Sequence, residues 1–445
     1  MYSASRELNS GTTSVPGRFL ALDSRAPMTL SPRVSVLSFH TSPLAPLGGA
    51  ATGGMNVYVR EVSARLARDG VSVDVFTRRE HAETPAVVEF APGARLIQIE
   101  AGTVAPLHKN ELIALTSEFA RGVAAFTASE GVRYDVLQSH YWLSGVAGEE
   151  LAGSWDVPHL GMFHTLGEIK LRARASEHEP AERLAAERRL VQSLDKVVAA
   201  TEYERRLLRQ IYRVPAAQIE VIPLGVDPER FSPEPRKEAR SALGMSVDER
   251  VILAVGRVEP LKGLDILIRA FGELTDRSGV RLVIIGGDES ARPEFDRLES
   301  IADEVGVREA MTFTGAVEHH LLPNYYRAAD VVVMPSFAES FGLVAVEAMA
   351  CGVPVVASRV GGLASTIADG RTGYLVPWRC PEPFAEKIEL LLRNEPLRDA
   401  LGAAGVERMR DYSWDSVVGE LAALYASVIR ARRGVAVAAA EVARG

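Results

Sequence analysis

The chain has 445 residues, of which 47% are hydrophobic and 24% charged, and its formal net charge is −8. This length favours two domains, and the composition is that of a globular protein rather than of a disordered one. The acidic balance argues against a nucleic-acid-binding protein and against a protein held to anionic lipid by a basic face, but it allows local cations to bind a small phosphorylated ligand.

Residues 1–31 are rich in Ser, Pro, Gly and charge and contain no continuous apolar segment, so we expect a disordered leader rather than a secretory signal. No stretch approaches the roughly 18 consecutive apolar residues that a membrane span requires. The two cysteines, Cys351 and Cys380, are too few for a disulfide framework, and no CxxC motif occurs. The sequence therefore predicts a cytoplasmic protein whose cysteines are small hydrophobic residues.

The first half of the chain alternates apolar runs with helical patterns. A buried strand is predicted over residues 34–39, followed by a glycine-rich loop over residues 48–56 and by a helix that ends near Gly70. The next strand completes a right-handed strand–helix–strand unit. The further predicted elements are strands over residues 71–77, 135–140, 159–165, 196–201 and 220–223 and a charged helix over residues 180–194.

A Pro-rich, charged segment over residues 223–236 predicts a domain linker, after which the pattern of strands and helices starts again. The sequence thus predicts an α/β protein of two doubly wound, Rossmann-like domains, over residues 32–222 and 237–412, with a ligand cleft between them. A last helix over residues 413–434 is expected to pack back on the first domain, and the Ala-rich end of the chain is expected to fray.

Two loops that join a predicted strand to a predicted helix are candidates for phosphate binding. Residues 48–56 contain four glycines but neither GxGxxG nor GxxxxGK[ST]. In residues 255–263, Arg257 and Lys262 lie beside a helix start, where two cations and helix amides suit a diphosphate. Each loop also has an alternative interpretation. The first can be a mobile surface turn that binds nothing, and the two cations can be a solvated pair of surface charges. The position of the glycines at the carboxyl end of a strand favours binding.

The segment over residues 335–358 holds two carboxylates. Glu339 lies in the loop after a buried strand, and Glu347 lies about one turn into a helix that begins near Gly342. Both carboxylates can therefore border one pocket, in which the backbone amides of residues 341–344 face an anion. Alternatively, Glu339 is a helix N-terminal charge and Glu347 a surface residue, although the apolar neighbours of Glu347 disfavour a surface position.

Three histidines, His40, His140 and His164, lie at the carboxyl ends of predicted strands of the first domain. One such histidine is usually just a polar strand end, but three point to a shared pocket rim. No HxxxH or HExxH spacing occurs, so no metal site is predicted.

Together these segments resemble the retaining family-4 glycosyltransferases of the GT-B fold, from about residue 34 to about residue 414. The motifs that carry the resemblance are the Glu-x7-Glu segment ESFGLVAVE, the AMACGVPVVAS that follows it, VGRVEPLKG and GVDPERF. SFHTSPL, TGGMNVYVRE, SHYWLSG and FHTLGEIK are most similar to two subgroups. These are the N-acetylglucosaminyltransferases of mycothiol synthesis, which glycosylate an inositol phosphate, and the bacterial sucrose-phosphate synthases, which glycosylate fructose 6-phosphate.

The resemblance implies a role for each matching residue. Arg257 and Lys262 bind the donor diphosphate, Glu347 holds the nucleotide ribose, Glu339 holds the hydroxyls of the transferred sugar, and His164 touches that sugar near the reacting carbon. His164, Glu339, Arg257 and Lys262 are accordingly the expected catalytic residues. The wider donor-binding set that it implies is His40, Gly54, Asn56, Gly315, Val317, Gly342, Leu343 and Val344. The acceptor-binding set, where the mycothiol enzymes grip an acceptor phosphate, is Asn56, Lys109, Tyr141, Thr165 and Arg183.

The implied reaction is sugar transfer with retention of configuration, in which Arg257, Lys262 and the amides near Gly342 stabilise the leaving diphosphate. Because no carboxylate is obviously placed as a covalent nucleophile, we expect same-face attack, with the leaving phosphate helping to take the acceptor's proton. The expected partners are a nucleotide sugar, carrying UDP or alternatively GDP, and a small polar acceptor; a homodimer is allowed. No cofactor, metal ion or nucleic acid is expected.

The sequence departs from the family pattern at Ala50 and Ala51, where relatives often carry Lys or Asp, and over residues 167–174, which are more basic than in the mycothiol enzymes. Both departures lie near the acceptor, so an uncharged secondary-metabolite acceptor stays open beside an inositol or hexose phosphate.

Two other classes of protein fit the predicted architecture. A sugar-nucleotide 2-epimerase uses paired carboxylates and histidines on the same scaffold, but the Glu-x7-Glu segment and the GGMN loop favour a transferase. A non-enzymatic sugar receptor is disfavoured by the missing signal peptide and by the predicted diphosphate site.

Overall fold

A computed structural model of the protein describes residues 32–46, 52–173, 178–377 and 379–442. The predicted leader over residues 1–31 lies outside this part of the chain. Part of the glycine-rich loop, including Ala50 and Ala51, and the last residue of the basic segment over residues 167–174 also lie outside it.

The first domain is built on a sheet whose central strands are short apolar runs, buried on both faces as parallel strands must be. Its strands are β1 Arg33–Leu37, β2 Ser72–Arg78, β3 Val87–Ala91, β4 Ala94–Ile99, β5 Val136–His140, β6 His159–Met162, β7 Lys196–Ala199 and β8 Ile219–Val221. In the described residues they lie in the order β3-β4-β2-β1-β5-β6-β7-β8. All neighbours pair in parallel except the β3–β4 hairpin at the edge.

The second domain has a fully parallel sheet in the order β11-β10-β9-β12-β13-β14. Its strands are β9 Arg250–Val255, β10 Val280–Ile285, β11 Met311–Gly315, β12 Val331–Met334, β13 Val355–Ser358 and β14 Gly373–Val376. Both sheets follow the doubly wound order, in which the first strand lies inside the sheet and the connections reverse direction beside it. The predicted fold class is confirmed.

Helices cover both faces of the sheets. In the first domain they are α1 Gly54–Arg68, α2 Thr116–Glu130, α3 Tyr141–Trp155, α4 Gly167–Ala173, α5 Ala181–Ser193 and α6 Glu202–Ile211. In the second they are α7 Arg236–Ala242, α8 Leu264–Gly272, α9 Arg292–Glu304, α10 Leu322–Ala328, α11 Leu343–Ala350, α12 Leu363–Thr366, α13 Pro381–Arg393 and α14 Glu395–Met409, and α15 Trp414–Val442 ends the described chain. No helix of the described residues combines the length and the apolar character that crossing a bilayer demands.

Two segments of the chain run side by side between the domains. The backbone N–H of Val226 donates to the carbonyl of Tyr412 at 2.7 Å, and that of Trp414 donates to the carbonyl of Val226 at 3.2 Å. Val226 and Ser413 thus form a parallel β-bridge. Gly225 packs so closely under Trp414 that a Cβ at this position would lie 2.7 Å from the indole ring.

Helix α15 packs along the first domain. It contacts α1, Tyr425 hydrogen-bonds Gln138 at the centre of the sheet, and Arg433 donates to Asp135 at 2.6 Å. In the structure the helix continues to Val442, beyond the predicted end at residue 434; fraying of the tail stays a prediction. The Ala-rich tail sequence explains the extension, because Ala has the highest helix propensity.

Candidate active site

The carboxyl ends of the two sheets meet at the cleft between the domains. Gly54, at the start of α1, lies opposite Leu343, at the start of α11; a Cβ on Gly54 would be 3.8 Å from Leu343 Cδ2. Across the same cleft, Arg379 donates to the backbone carbonyl of Ala173 at 3.1 Å. The predicted site residues come from loops at this edge, beside the points where each sheet reverses its connections, which is where doubly wound sheets bind ligands.

The three predicted histidines gather at one rim of the cleft. His140 ends β5, whereas His40 and His164 lie three and two residues beyond the ends of β1 and β6. His140 Nδ1 and His164 Nε2 share a hydrogen bond of 2.9 Å, and Tyr58 packs edge-on against both imidazoles. His164 has a φ of 59°, a left-handed conformation that is rare for a residue with a side chain. Strained backbone of this kind clusters at functional sites.

These histidines are neutral at physiological pH. Burial lowers the pKa of His164 from 6.5 to about 3. Burial, together with His164 and His40, brings the pKa of His140 well below its ordinary value. In the bonded pair one ring therefore donates and the other accepts. This pair can offer hydrogen bonds to a sugar hydroxyl, but it holds no proton to give to a leaving group.

Buried histidines also make the first domain sensitive to acid. His159, beside Ser139 Oγ at 2.8 Å, has its pKa lowered by burial from 6.5 to about 3. Between these values the unfolded chain binds a proton that the folded chain does not, so the free energy of unfolding falls as the pH drops through this window. Chemical denaturation of His159→Gln between pH 7 and pH 5 is expected to show a slope smaller than in wild type, by at most about 1.4 kcal/mol per pH unit. His320→Gln, at a largely exposed histidine, should keep the wild-type slope; an unchanged slope in His159→Gln would contradict the prediction.

The predicted diphosphate loop lies against the loop that carries Glu339. Gly263, with a φ of 65°, is so close to Pro335 that a Cβ would stand 2.2 Å from the Pro335 carbonyl oxygen. This approach brings Lys262 Nζ within 2.7 Å of Glu339 Oε2. Arg257 forms an ion pair of 2.8 Å with Glu259 on the same loop. The structure thus brings together Arg257, Lys262 and Glu339, and each cation has a carboxylate partner from its own domain.

Helix α11 points its N-terminus at the same place. Its N-cap is Gly342, with a φ of 93°, and the amides of Leu343 and Val344 at its start have no carbonyl one turn back to bond. The adjacent loop buttresses this turn by backbone contact: Gly362 N–H donates to the carbonyl of Glu339 at 2.8 Å, and a Cβ on Gly361 would stand 1.9 Å from that oxygen. This Gly-Gly pair was not among the predicted site residues, although two adjacent glycines after a buried strand are a signal of close backbone approach.

Glu347 is buried rather than on the surface. Tyr326 Oη donates to its Oε2 at 2.7 Å, and His319 Nε2 donates to its Oε1 at 2.6 Å. His319 and Tyr326 were not predicted as site residues, and nothing in the local sequence links them to Glu347. Contact of Glu347 with a nucleotide ribose stays a prediction. It would use lone pairs that these two donors leave available.

The remaining predicted donor residues are distributed around the cleft. Gly315 ends β11 with a φ of 77°, and a Cβ there would meet nothing within 4 Å. Val317 follows it and packs partly against the core, as do Leu343 and Val344. Asn56 is buried, and its side-chain amide makes three hydrogen bonds. Its Oδ1 accepts from Gly53 N–H, and its Nδ2 donates to Thr41 Oγ1 and to the Ser42 carbonyl. Asn56 therefore shapes the loop between β1 and α1, and its direct contact with a ligand stays a prediction.

The predicted acceptor residues also come together, around a buried ion-pair cluster. Arg183 Nε donates to Glu187 and Nη1 to Glu179, both at 2.7 Å. Its Nη2 donates to the Thr165 carbonyl at 2.8 Å, and its guanidinium lies over the ring of Tyr141, whose φ is 72°. Arg183 is thus deeply engaged with the protein itself.

Beside this cluster, a cavity of about 240 Å³ opens between the two domains. Its lining includes Lys109 and Lys170 from the first domain and Glu259 from the second. Lys170 donates to Glu179 at 2.7 Å. Partial desolvation, with Lys170, Arg183 and Arg257 nearby, lowers the pKa of Lys109. Glu179 also lines the cavity, so its two lysines stand beside two carboxylates. An anionic group that displaces a carboxylate there would gain the lysines as partners.

Comparisons with known proteins agree with this architecture. The model of Glycosyltransferase Family 4 matches residues 52–230, and that of Glycosyl transferases group 1 matches residues 235–408. The chain is 42% identical over 417 residues to a D-inositol 3-phosphate glycosyltransferase of Xylanimonas cellulosilytica, covering 91% of this chain and 99% of the relative. It is also 42% identical to the enzyme of that name from Mycolicibacterium smegmatis, covering 88% and 90%. The solved structure of sucrose-phosphate synthase from Thermosynechococcus elongatus superposes with a TM-score of 0.84 at 33% identity, covering 90% of this chain and all of that one.

Proposed function

The chain belongs to the glycosyltransferases of group 1 and family 4, and from this premise we propose that it transfers a sugar from a nucleoside diphosphate donor to an inositol phosphate. The relatives at about 40% identity bear that acceptor in their names. A hexose phosphate is the second candidate, because the sucrose-phosphate synthase is similar over nearly the whole chain.

The observation that carries the proposal is the set of cations at the acceptor cavity. Lys109 and Lys170 line this cavity, and Glu179 is the shared partner of Lys170 and of the buried Arg183. Burial, and after it repulsion by Lys170, lowers the pKa of Lys109; a phosphate dianion bound there would offset that repulsion. An uncharged acceptor would leave that repulsion in place.

The donor side of the proposal rests on Arg257, Lys262 and the N-terminus of α11. A diphosphate bound there replaces Glu259 and Glu339 as the partner of the two cations, and the first-turn amides of α11 add hydrogen bonds. As the bond from the sugar to the diphosphate breaks, negative charge develops on the leaving oxygen, and these groups stabilise it more in the transition state than in the ground state. UDP is the proposed nucleotide.

The proposed mechanism retains the configuration at the reacting carbon. Glu339 lies beside Lys262 when no donor is bound, and once the diphosphate takes that lysine, the carboxylate can accept hydrogen bonds from the sugar hydroxyls. The acceptor then attacks from the face that the diphosphate leaves, and the leaving phosphate takes the acceptor's proton. His164, neutral and bonded to His140, contributes a hydrogen bond to the sugar rather than a proton.

Initial-rate kinetics with phosphorylated and plain acceptors tests the proposal. With UDP-glucose or UDP-N-acetylglucosamine, inositol 3-phosphate should exceed inositol in kcat/KM by about 10- to 100-fold, because inositol offers no negative charge to Lys109. Fructose 6-phosphate and fructose form the second pair, and preference for that pair identifies the hexose phosphate candidate. Lys109→Met should shrink the preference for the phosphorylated acceptor.

Equal kcat/KM values for phosphorylated and plain acceptors would mean that the acceptor is uncharged. Consumption of the sugar nucleotide without any acceptor would instead favour the epimerase class.

A further inference from the structure

A buried arginine anchors the loop that leads to Lys109. Arg78 is the last residue of β2, and its side chain is only 1% exposed. Its Nε donates to the carbonyl of Ala101 at 3.0 Å, and its Nη2 donates to the carbonyls of Thr103 and Ala105, the latter at 2.8 Å. One guanidinium thus holds three alternate carbonyls of the loop that follows β4.

This loop continues directly to the acceptor cavity. Leu107 packs against the hydrophobic core of the first domain. His108 then forms a tight turn, in which its N–H donates to Glu111 Oε2 and its carbonyl accepts from Glu111 N–H, both at 2.8 Å. Lys109 therefore lies within a turn that closes on itself, at the end of the loop that Arg78 bonds.

We propose that Arg78 is a positioning residue for acceptor binding, which holds Lys109 at the cavity by fixing the carbonyls of Ala101, Thr103 and Ala105. The planar fork of a guanidinium reaches several acceptors in fixed directions, whereas a Lys ammonium is a single point on a flexible stem. This proposal rests on the proposed function, because it requires that Lys109 contacts the acceptor.

The chain offers a matched control in the next residue. Arg79 also donates to loop carbonyls, those of Ala82 at 2.7 Å and Thr84 at 3.0 Å. It reaches the segment after β4 through the side chain of Glu100 at 2.9 Å, whereas Arg78 bonds the backbone of that segment. That loop joins β2 to β3 and does not lead to the acceptor cavity. Loss of either arginine removes carbonyl contacts, but only loss of Arg78 should affect Lys109.

The kinetic test separates acceptor binding from the rest of catalysis. Arg78→Gln should raise the acceptor KM by about 10-fold, and the milder Arg78→Lys by a smaller factor. In both variants the donor KM and kcat should stay within about twofold of wild type. Arg79→Gln should leave all three constants unchanged. In a Lys109→Met background, Arg78→Lys should have no further effect on the acceptor KM, because residues that act through one another are not additive. Independent, multiplying losses would overturn the proposal.

A second readout does not depend on which acceptor the enzyme uses. The chain has six lysines, so reductive methylation with ¹³C-formaldehyde gives few NMR signals, and Lys109→Arg assigns the one of interest. The groups that face Lys109 are Lys170, Glu179, Arg183 and Arg257. In wild type the pKa of Lys109 should lie below its ordinary value. In Arg78→Lys it should rise toward that value as the loop leaves this environment, and in Arg79→Gln it should not move.

An unchanged titration of Lys109 in a folded Arg78→Lys variant would overturn the proposal even if the kinetics failed to show a phosphorylated acceptor. A shifted titration without a phosphate preference would support the positioning role and contradict the proposed acceptor. The two failures are therefore distinguishable.

Discussion

Replacement of Lys262 by Met is expected to lower kcat by about 10²- to 10³-fold, the usual cost of removing one group that stabilises developing charge. Lys262 lies at the meeting point of the two loops that form the donor side of the cleft, 2.7 Å from Glu339. Met keeps the apolar stem and removes the ammonium, so the leaving diphosphate loses one fixed cation. Initial rates at saturating donor measure the loss.

Three further variants give this result a single interpretation. Lys262→Met leaves the Glu339 carboxylate without its ion pair, so the double variant with Glu339→Gln removes that repulsion; kcat should stay low. Recovery of activity in the double variant would show that the unpaired carboxylate, and not the missing cation, caused the defect. Arg292→Met, at a mostly exposed arginine of the same domain, should retain wild-type kcat. Glu339→Gln alone should reduce turnover but bind UDP at least as tightly as wild type, because Lys262 is then released to the diphosphate.

Arg183→Met should destabilise the first domain by about 3–5 kcal/mol, the cost of breaking a buried ion pair by removing one partner. The variant leaves Glu187 fully buried and Glu179 nearly so, without the guanidinium that bonds both at 2.7 Å. Urea denaturation, followed by tryptophan fluorescence, measures the change in the free energy of unfolding.

The exposed Lys109 provides the comparison. Lys109→Met should raise the acceptor KM while changing the free energy of unfolding by less than about 0.5 kcal/mol. The acceptor KM of Arg183→Met should also rise, but that rise alone does not distinguish lost contact with the acceptor from a collapsed site. A wild-type unfolding transition in Arg183→Met would show that the two glutamates find other partners.

The predicted central strands of the first sheet were close to those observed, because strands buried on both faces are continuous apolar runs with little ambiguity. The edge hairpin β3–β4 was not predicted; β3 is mostly exposed and shows no regular alternation of buried positions. The predicted strand over residues 159–165 was too long. Its apolar pattern continues past β6, but the chain leaves the sheet before His164, which adopts a left-handed conformation. Hydrophobic patterning contains no signal for that turn.

The location of the candidate site was predictable, since parallel strands place their following loops at one edge of a sheet. The partners that fix individual side chains were less so. His319 and Tyr326 reach Glu347 from 28 and 21 residues away, which no local pattern reveals. The Arg183 cluster is different: Glu179, Arg183 and Glu187 recur at four-residue intervals, a spacing that indicates ion pairs along a helix.

The β-bridge between Val226 and Ser413 has a mechanical consequence. Because the two covalent connections between the domains lie side by side, they form one hinge axis rather than two independent linkers. Rotation of the domains about this hinge axis leaves the hydrogen bonds of the bridge intact, whereas sliding one domain along the other would stretch them. Gly225 lies under the Trp414 ring with no room for a Cβ. A methyl group there would clash with the indole ring at the hinge and change the angle between the domains, without altering any side chain that faces the cleft.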